Sequence, residues 1–132
     1  MRSVRGILID PFTCTVSEVT HDASDYSNIY KLISHESMPV DCFTCAYSDL
    51  LQLGEAIFVD DEGLFKQPER FFKFAGYEQP LTGKGLILGS DTNGETKGAT
   101  SKLATIKASV MFAERMGNEL IQTNKPWVRE EQ

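Results

Sequence analysis

The chain has 132 residues, a length typical of one domain. It is 41% hydrophobic and 24% charged, which is ordinary for a globular protein, and no apolar run reaches the roughly 20 residues that a membrane-spanning helix needs. The formal net charge of -6 would repel duplex nucleic acid on average, so we expect neither a membrane protein nor a duplex-binding one.

The N-terminal segment and the cysteines indicate the compartment. Residues 1–9 are basic and then apolar, but the apolar run ends at Asp10-Pro11, which is too early for a secretory signal peptide. The three cysteines, Cys14, Cys42 and Cys45, are an odd number, which argues against a disulfide framework. We therefore expect a cytoplasmic protein.

The first third of the chain predicts a hairpin and then one helix. Residues 4–9 and 14–19 have strand composition and are separated by Asp10-Pro11. Residues 26–33 predict the main helix, capped by Ser24 or Asp25. Its buried face follows the i, i+3, i+4, i+7 spacing: Tyr26, Ile29, Tyr30 and Ile33.

The middle of the chain predicts further strands. Residues 40–47, 56–60 and 85–90 have strand composition, and the second of these runs ends in the acidic turn 60–63. We expect Gly63 to supply a backbone angle that a side chain would resist. Asn93-Gly94 is a hairpin signal and predicts a return strand at 95–97.

Residues 104–112 alternate strictly between apolar and polar side chains, yet they also fit one face of a helix. We favour a strand at 104–112, followed by a short helix or coil at 113–121. The elements together predict an α+β fold, with a mixed or antiparallel sheet of about five or six strands and one main helix packed on one face. We expect a single domain over 1–122 and a polar tail at 123–132.

Two short motifs could bind a metal. Cys42-Phe43-Thr44-Cys45 has the C-x-x-C spacing of a zinc knuckle, but cysteines three apart on a strand point to opposite faces, so we expect buried side chains. Asp60, Asp61 and Glu62 are candidates for a hard cation such as magnesium, although a solvated turn also explains them. We expect no cofactor and no resident metal.

The chain also offers candidates for binding a partner or ligand. Gly83-Lys84-Gly85 could hold a phosphate, but it leads into a strand and lacks the helix N-terminus of a phosphate loop. Residues 70–77 interleave aromatic and basic side chains, which is typical of a core strand, a protein-binding patch or a single-stranded nucleic-acid platform. The candidate residues are Arg70, Phe71, Lys73, Tyr77 and Lys84.

Three stretches together resemble a family of small domains of unknown function found in phages and plasmids. They are Ile9-Asp10-Pro11, the turn at 57–64 with its Val59-Asp60-Asp61-Glu62-Gly63-Leu64, and the strand at 80–89 that begins Pro80-Leu81-Thr82-Gly83. The resemblance covers residues 4–112 and implies a phage or mobile-element protein, without carrying over any functional residue. The aromatic block at 71–77 departs from the family pattern, in which we expect a less aromatic and more polar stretch.

We find no nucleophile–base arrangement, so we expect a protein that is not an enzyme. The leading hypothesis is an accessory protein of a phage or mobile element that binds a host or phage macromolecule and changes its activity, as host-takeover and counter-defence proteins do. The partner that we expect is a host or phage protein. The alternative is a module that binds a nucleotide or signalling molecule near 83–85 and the aromatic block. A third hypothesis is metal-dependent phosphoryl chemistry at 60–62. A homodimer and a monomer both remain open.

Overall fold

In a computed structural model, which describes residues 2–66 and 69–128, the chain folds into two antiparallel β-sheets and two short helices. This confirms the predicted α+β class. The first sheet has six strands, at the upper end of the expected number, and the second has four strands that the sequence did not predict as a separate layer.

The first sheet contains β1 (Ser3–Asp10), β2 (Thr15–Asp22), β3 (Phe43–Ala46), β4 (Glu55–Asp60), β7 (Gly85–Ser90) and β8 (Thr96–Lys97). The second contains β5 (Arg70–Phe74), β6 (Leu81–Thr82), β9 (Val110–Met116) and β10 (Glu119–Gln122). The helices are α1 (Ser27–Ile33) and α2 (Leu103–Ser109), and a 3-10 turn spans Gly63–Lys66.

Strand β7 lies at the centre of the first sheet. The strand order is β2-β1-β7-β4-β3, with β8 paired to one end of β7. Ile87 lies opposite Ile7 on one side and Ile57 on the other. Because β7 is covered on both faces, it reads as a continuous apolar run and not as an alternating one.

Two apolar clusters cover the two faces of this sheet. Ile7, Ile57 and Ile87 pack against Phe72 and Phe74 of the second sheet and form the core between the layers. On the other face, α1 contributes to a second cluster, made of Ile29, Ile33, Val40, Leu86 and Leu88. The helix on one face was predicted, whereas the sheet on the other face was not.

Helix α1 begins later than its predicted caps suggest. The Asp25 carboxylate accepts hydrogen bonds from the Ser27 N–H (3.0 Å) and hydroxyl (2.7 Å), and no side chain caps the helix at Tyr26. Asp25 therefore closes the turn that precedes α1. Tyr26, predicted on the buried face, is exposed because it lies before the first turn.

The predicted strand at 104–112 is wrong over most of its length. Residues 103–109 form α2, and only Val110 to Phe112 belong to a strand. Ile106 is fully buried, and the Ser109 hydroxyl donates to the Thr105 carbonyl as in a helix. The helix or coil predicted at 113–121 is also wrong, because β9 continues to Met116 and turns back into β10.

The turn at 91–95 confirms the predicted return strand. The Asp91 carboxylate accepts hydrogen bonds from the N–H groups of Asn93 and Glu95, and Gly94 has a positive φ of 80°. The predicted role of Gly63, an unusual backbone angle, is wrong. Its φ is not positive, but a Cβ at this position would overlap the Thr82 hydroxyl, so close packing demands the glycine.

The described part of the predicted polar tail, 123–128, lies against the body of the protein. The backbone N–H of Thr123 donates to the Phe112 carbonyl (3.0 Å), and the backbone N–H of Trp127 donates to the Phe12 carbonyl (2.5 Å). Across the described ranges, the helices are too short and too polar to cross a membrane.

Candidate functional site

The aromatic block forms β5 and packs mainly as core. Phe72 and Phe74 point towards the first sheet and are fully buried. The Phe72 ring lies so close to Gly85 that a Cβ there would come within 2.6 Å of it, which explains the glycine before the apolar run of β7. Phe71 and Lys73 alternate onto the outer face of the second sheet, where Lys73 is exposed.

A cleft of about 280 Å³ opens over Phe71 on this outer face, and we call it the Phe71 cleft. Phe71 itself is 3% exposed, since neighbouring side chains cover its ring, and the Arg115 guanidinium carbon lies 5.5 Å from the ring centre. The cleft is lined by Leu64, Phe71, Gln79, Pro80, Arg115, Asn118, Glu119 and Leu120.

Large apolar side chains are exposed at the rim of this cleft. Leu64 is 69% exposed and the adjacent Phe65 is 87% exposed, both in the 3-10 turn after β4. Leu120, on the opposite wall, is 37% exposed. Single exposed apolar residues are normal, but a group of them around a cleft is typical of an interaction surface.

Arg70 is buried and serves as an anchor inside the protein. Its guanidinium donates to the carbonyls of Pro11 (3.1 Å) and Lys125 (2.7 Å) and pairs with the Glu114 carboxylate (3.2 Å). It also lies 3.5 Å from the Cys14 sulfur. Arg70 therefore joins the β1–β2 turn, β9 and the C-terminal segment, and it does not face the Phe71 cleft.

Tyr77 and Lys84 lie in different parts of the molecule. Tyr77 is half-buried against the core between the two sheets. Lys84 pairs with Asp10 of β1 (3.7 Å). Even-numbered positions of β1 face away from the core between the sheets, since a Cβ at Gly6 would meet Leu86 on the other face of the first sheet. The residues named for a nucleotide site near 83–85 are thus not gathered around one cavity.

The acidic turn at 60–62 is engaged within the chain. The Asp60 carboxylate accepts hydrogen bonds from the Glu62 N–H (2.9 Å) and from the Lys66 ammonium (2.8 Å), and its side chain is 1% exposed. Lys66 also donates to the Pro39 carbonyl (2.8 Å). Asp61 is exposed, and residues 2–66 and 69–128 contain no group of three acidic, His or Cys side chains placed to hold a metal ion.

The two cysteines of the C-x-x-C motif differ in their surroundings. Cys45 lies in β3, and burial raises the pKa of its thiol. Cys42 lies before the strand and donates weakly to the Asp61 carboxylate (3.8 Å). Desolvation and the carboxylate of Asp61 raise the pKa of Cys42. A raised pKa disfavours the thiolate that zinc binding and thiol exchange both require.

A cluster of Phe12, His35 and Trp127 joins three distant parts of the chain, and sequence reasoning missed it. The Phe12 and His35 rings stack with centroids 3.7 Å apart, and the Trp127 ring meets His35 edge-on at 4.9 Å. Burial and the nearby Lys84 ammonium lower the pKa of His35. No local pattern signals such a cluster, because its members come from a turn, a loop and the C-terminal segment.

Comparison with protein-family models, with curated proteins and with solved structures found no match for this chain. The chemistry of its own side chains is therefore the basis for a functional interpretation.

Proposed function

We propose that this chain is a non-enzymatic accessory protein of a phage or mobile element, which binds a host or phage protein in the host cytoplasm and changes its activity. The observation that carries the proposal is the Phe71 cleft, whose lining includes the exposed Leu64 and Leu120, with the exposed Phe65 next to Leu64 in the chain. The three motifs that resemble small phage and plasmid domains support the proposed source.

The chemistry of the cleft suits an apolar side chain of a protein partner. Phe71 provides an aromatic floor that stays in place because the ring is packed in the second sheet. An anchor side chain that enters such a pocket is the usual centre of binding energy in a protein interface. The net charge of -6 would favour a partner whose surface around that anchor is basic.

Site-directed photo-cross-linking in host lysate tests this proposal. A photoreactive amino acid at Phe65 should capture one defined protein, because Phe65 is exposed and follows Leu64, which lines the cleft. The same amino acid at Leu53 is the matched control, since Leu53 is 98% exposed and belongs to the loop before β4. The captured protein should disappear when Leu64→Asp is combined with the probe at Phe65.

Equal capture at Phe65 and Leu53 would contradict the proposal, because it would show non-specific labelling of exposed positions. Capture that survives Leu64→Asp would contradict it as well. The free energy of unfolding of Leu64→Asp should stay near that of the wild type, since Leu64 is mostly exposed.

A further inference from the structure

Among residues 2–66 and 69–128, no strand lies beside the outer side of β10, so β10 is an edge strand of the second sheet. The strand order of that sheet is β10-β9-β5-β6, so β10 has a neighbour on one side. The Thr123 N–H donates to the Phe112 carbonyl, and the register pairs Ile121 with Glu114 and Glu119 with Met116. Antiparallel bonding alternates, so Leu120 and Gln122 direct their backbone N–H and C=O groups away from the sheet.

This edge carries few of the features that usually prevent strand pairing: its strand is short and has one charge. Residues 118–124 contain no proline and no lysine, and their single charge is Glu119. Leu120 and Ile121 are both partly exposed, on opposite faces of the strand.

We infer that β10 pairs antiparallel with β10 of a second copy of this chain, with Ile121 on the two-fold axis. This register places the outward-directed backbone of Leu120 opposite that of Gln122 in the second copy. It sets Ile121 against Ile121 in a non-hydrogen-bonded pair, where side chains approach most closely. The two four-stranded sheets become one continuous sheet across the axis.

Side-chain charge along the paired edge does not oppose a second copy in this register. Glu119 lies opposite Thr123 of the second copy, so no like charges face each other along the paired edge. The apolar Ile121 pair covers surface that each copy exposes alone. This dimer is separate from the proposed function, because it forms through the backbone edge of β10 and not through the Phe71 cleft. Dimer formation is measured on the purified chain, without any partner.

Cysteine cross-linking tests the register. Under mild oxidation, Ile121→Cys should form an intermolecular disulfide, because cysteines in a directly opposed pair lie within bridging distance. Leu120→Cys is the matched control. The substituted position of one copy and that of the other lie two residues apart along the paired edge, so their Cα atoms are about 8 Å apart, beyond the roughly 7 Å that a disulfide can span. The wild type measures background from the three native thiols.

Sedimentation across micromolar to millimolar concentrations tests the assembly itself. The wild type should show reversible dimer formation, and Ile121→Lys should abolish it by opposing two ammonium groups at the axis. Within each copy the new lysine lies opposite the acidic Glu114, so we expect the variant to stay folded. Met111→Glu is the control, since Met111 has the same 44% exposure as Ile121, faces Lys73 and lies away from the edge.

A monomer at every concentration would overturn the inference. So would a dimer that Ile121→Lys leaves intact, or a disulfide that forms with Leu120→Cys and not with Ile121→Cys. Failure of the cross-linking at Phe65 in lysate has no bearing on these results, so the proposed function and the dimer can fail separately.

Discussion

Phe71 is at once a core residue and the floor of the cleft. Its ring lies on the outer face of β5 with the Arg115 guanidinium over it, yet Phe71 is 3% exposed. Leu64, Pro80 and Leu120 line the cleft together with it. A partner would therefore meet the rim before it reached the ring. Lys73, on the same face of the same strand, is exposed.

Phe71→Ala should lower the free energy of unfolding by about 3–5 kcal/mol, because it removes a buried ring and leaves a cavity under the cleft. Lys73→Ala should change it by less than about 0.5 kcal/mol, as is usual for an exposed position. Urea unfolding, followed by circular dichroism, measures both. Similar small effects for the two variants would contradict the packing role of Phe71.

At the scale of elements, Glu55 connects the start of β4 to the segment that leads into α2. One carboxylate oxygen accepts hydrogen bonds from the N–H groups of Thr100 (2.6 Å) and Ser101 (3.1 Å), and the other accepts from the Gln52 N–H (2.9 Å) and the Ser101 hydroxyl. Burial alone would raise the pKa of Glu55, but these hydrogen bonds outweigh it and lower the pKa from its ordinary 4.5.

Because its folded-state pKa is the lower one, Glu55 stabilises the fold above about pH 4.5 and loses this contribution as the pH falls through the folded-state pKa. Glu55→Gln should therefore cost roughly 1–3 kcal/mol at neutral pH, since bonds to a charged acceptor are lost. It should also weaken the dependence of stability on acid pH. Urea titrations at a series of pH values measure both effects, with the exposed Glu119→Gln as the control.

At the scale of the whole molecule, the Phe12–His35–Trp127 cluster joins the C-terminal segment to the N-terminal half. Trp127 is the single tryptophan, so its fluorescence reports on this contact. Burial and Lys84 lower the pKa of His35, while Asp10 and Glu36 oppose them and the Ser37 hydroxyl bonds its ring. The stacked His35 ring is therefore favoured in its neutral form.

A lowered folded-state pKa means that stability is present above the ordinary pKa of 6.5 and declines as the pH falls below it, while His35 becomes charged. The Trp127 fluorescence of the folded protein should therefore titrate below pH 6.5. His35→Phe keeps a ring between Phe12 and Trp127 but cannot bind a proton, so its fluorescence should lose the change that comes from His35, while the hydrogen bond from the Trp127 indole to the Glu69 carboxylate (3.1 Å) remains. An unchanged titration in His35→Phe would contradict the role of His35.

The sequence predicted secondary structure best where the local pattern and the tertiary packing favour the same element. Residues 4–9, 56–60 and 85–90 are strands in the structure, and the turn at Asn93-Gly94 reverses the chain as its local chemistry requires. The strand predicted at 104–112 is wrong over 104–109, because the alternation there fits both a helix face and a strand. Packing decided between them: Ile106 is buried from a helix, and β5 pairs with the strand that begins at Val110.

By itself the sequence determined the α+β class, the central strands and their turns, because these depend on neighbouring residues and on apolar runs. Only the tertiary structure decided that the aromatic block is a core strand of a second sheet, with Phe72 against Gly85 and Phe71 beneath a cleft. It alone placed Arg70 and Glu55 as internal anchors and left the edge of β10 open. The physical reason is that burial and strand pairing bring together residues far apart in the chain. Local periodicity depends on neighbouring residues and cannot indicate those contacts.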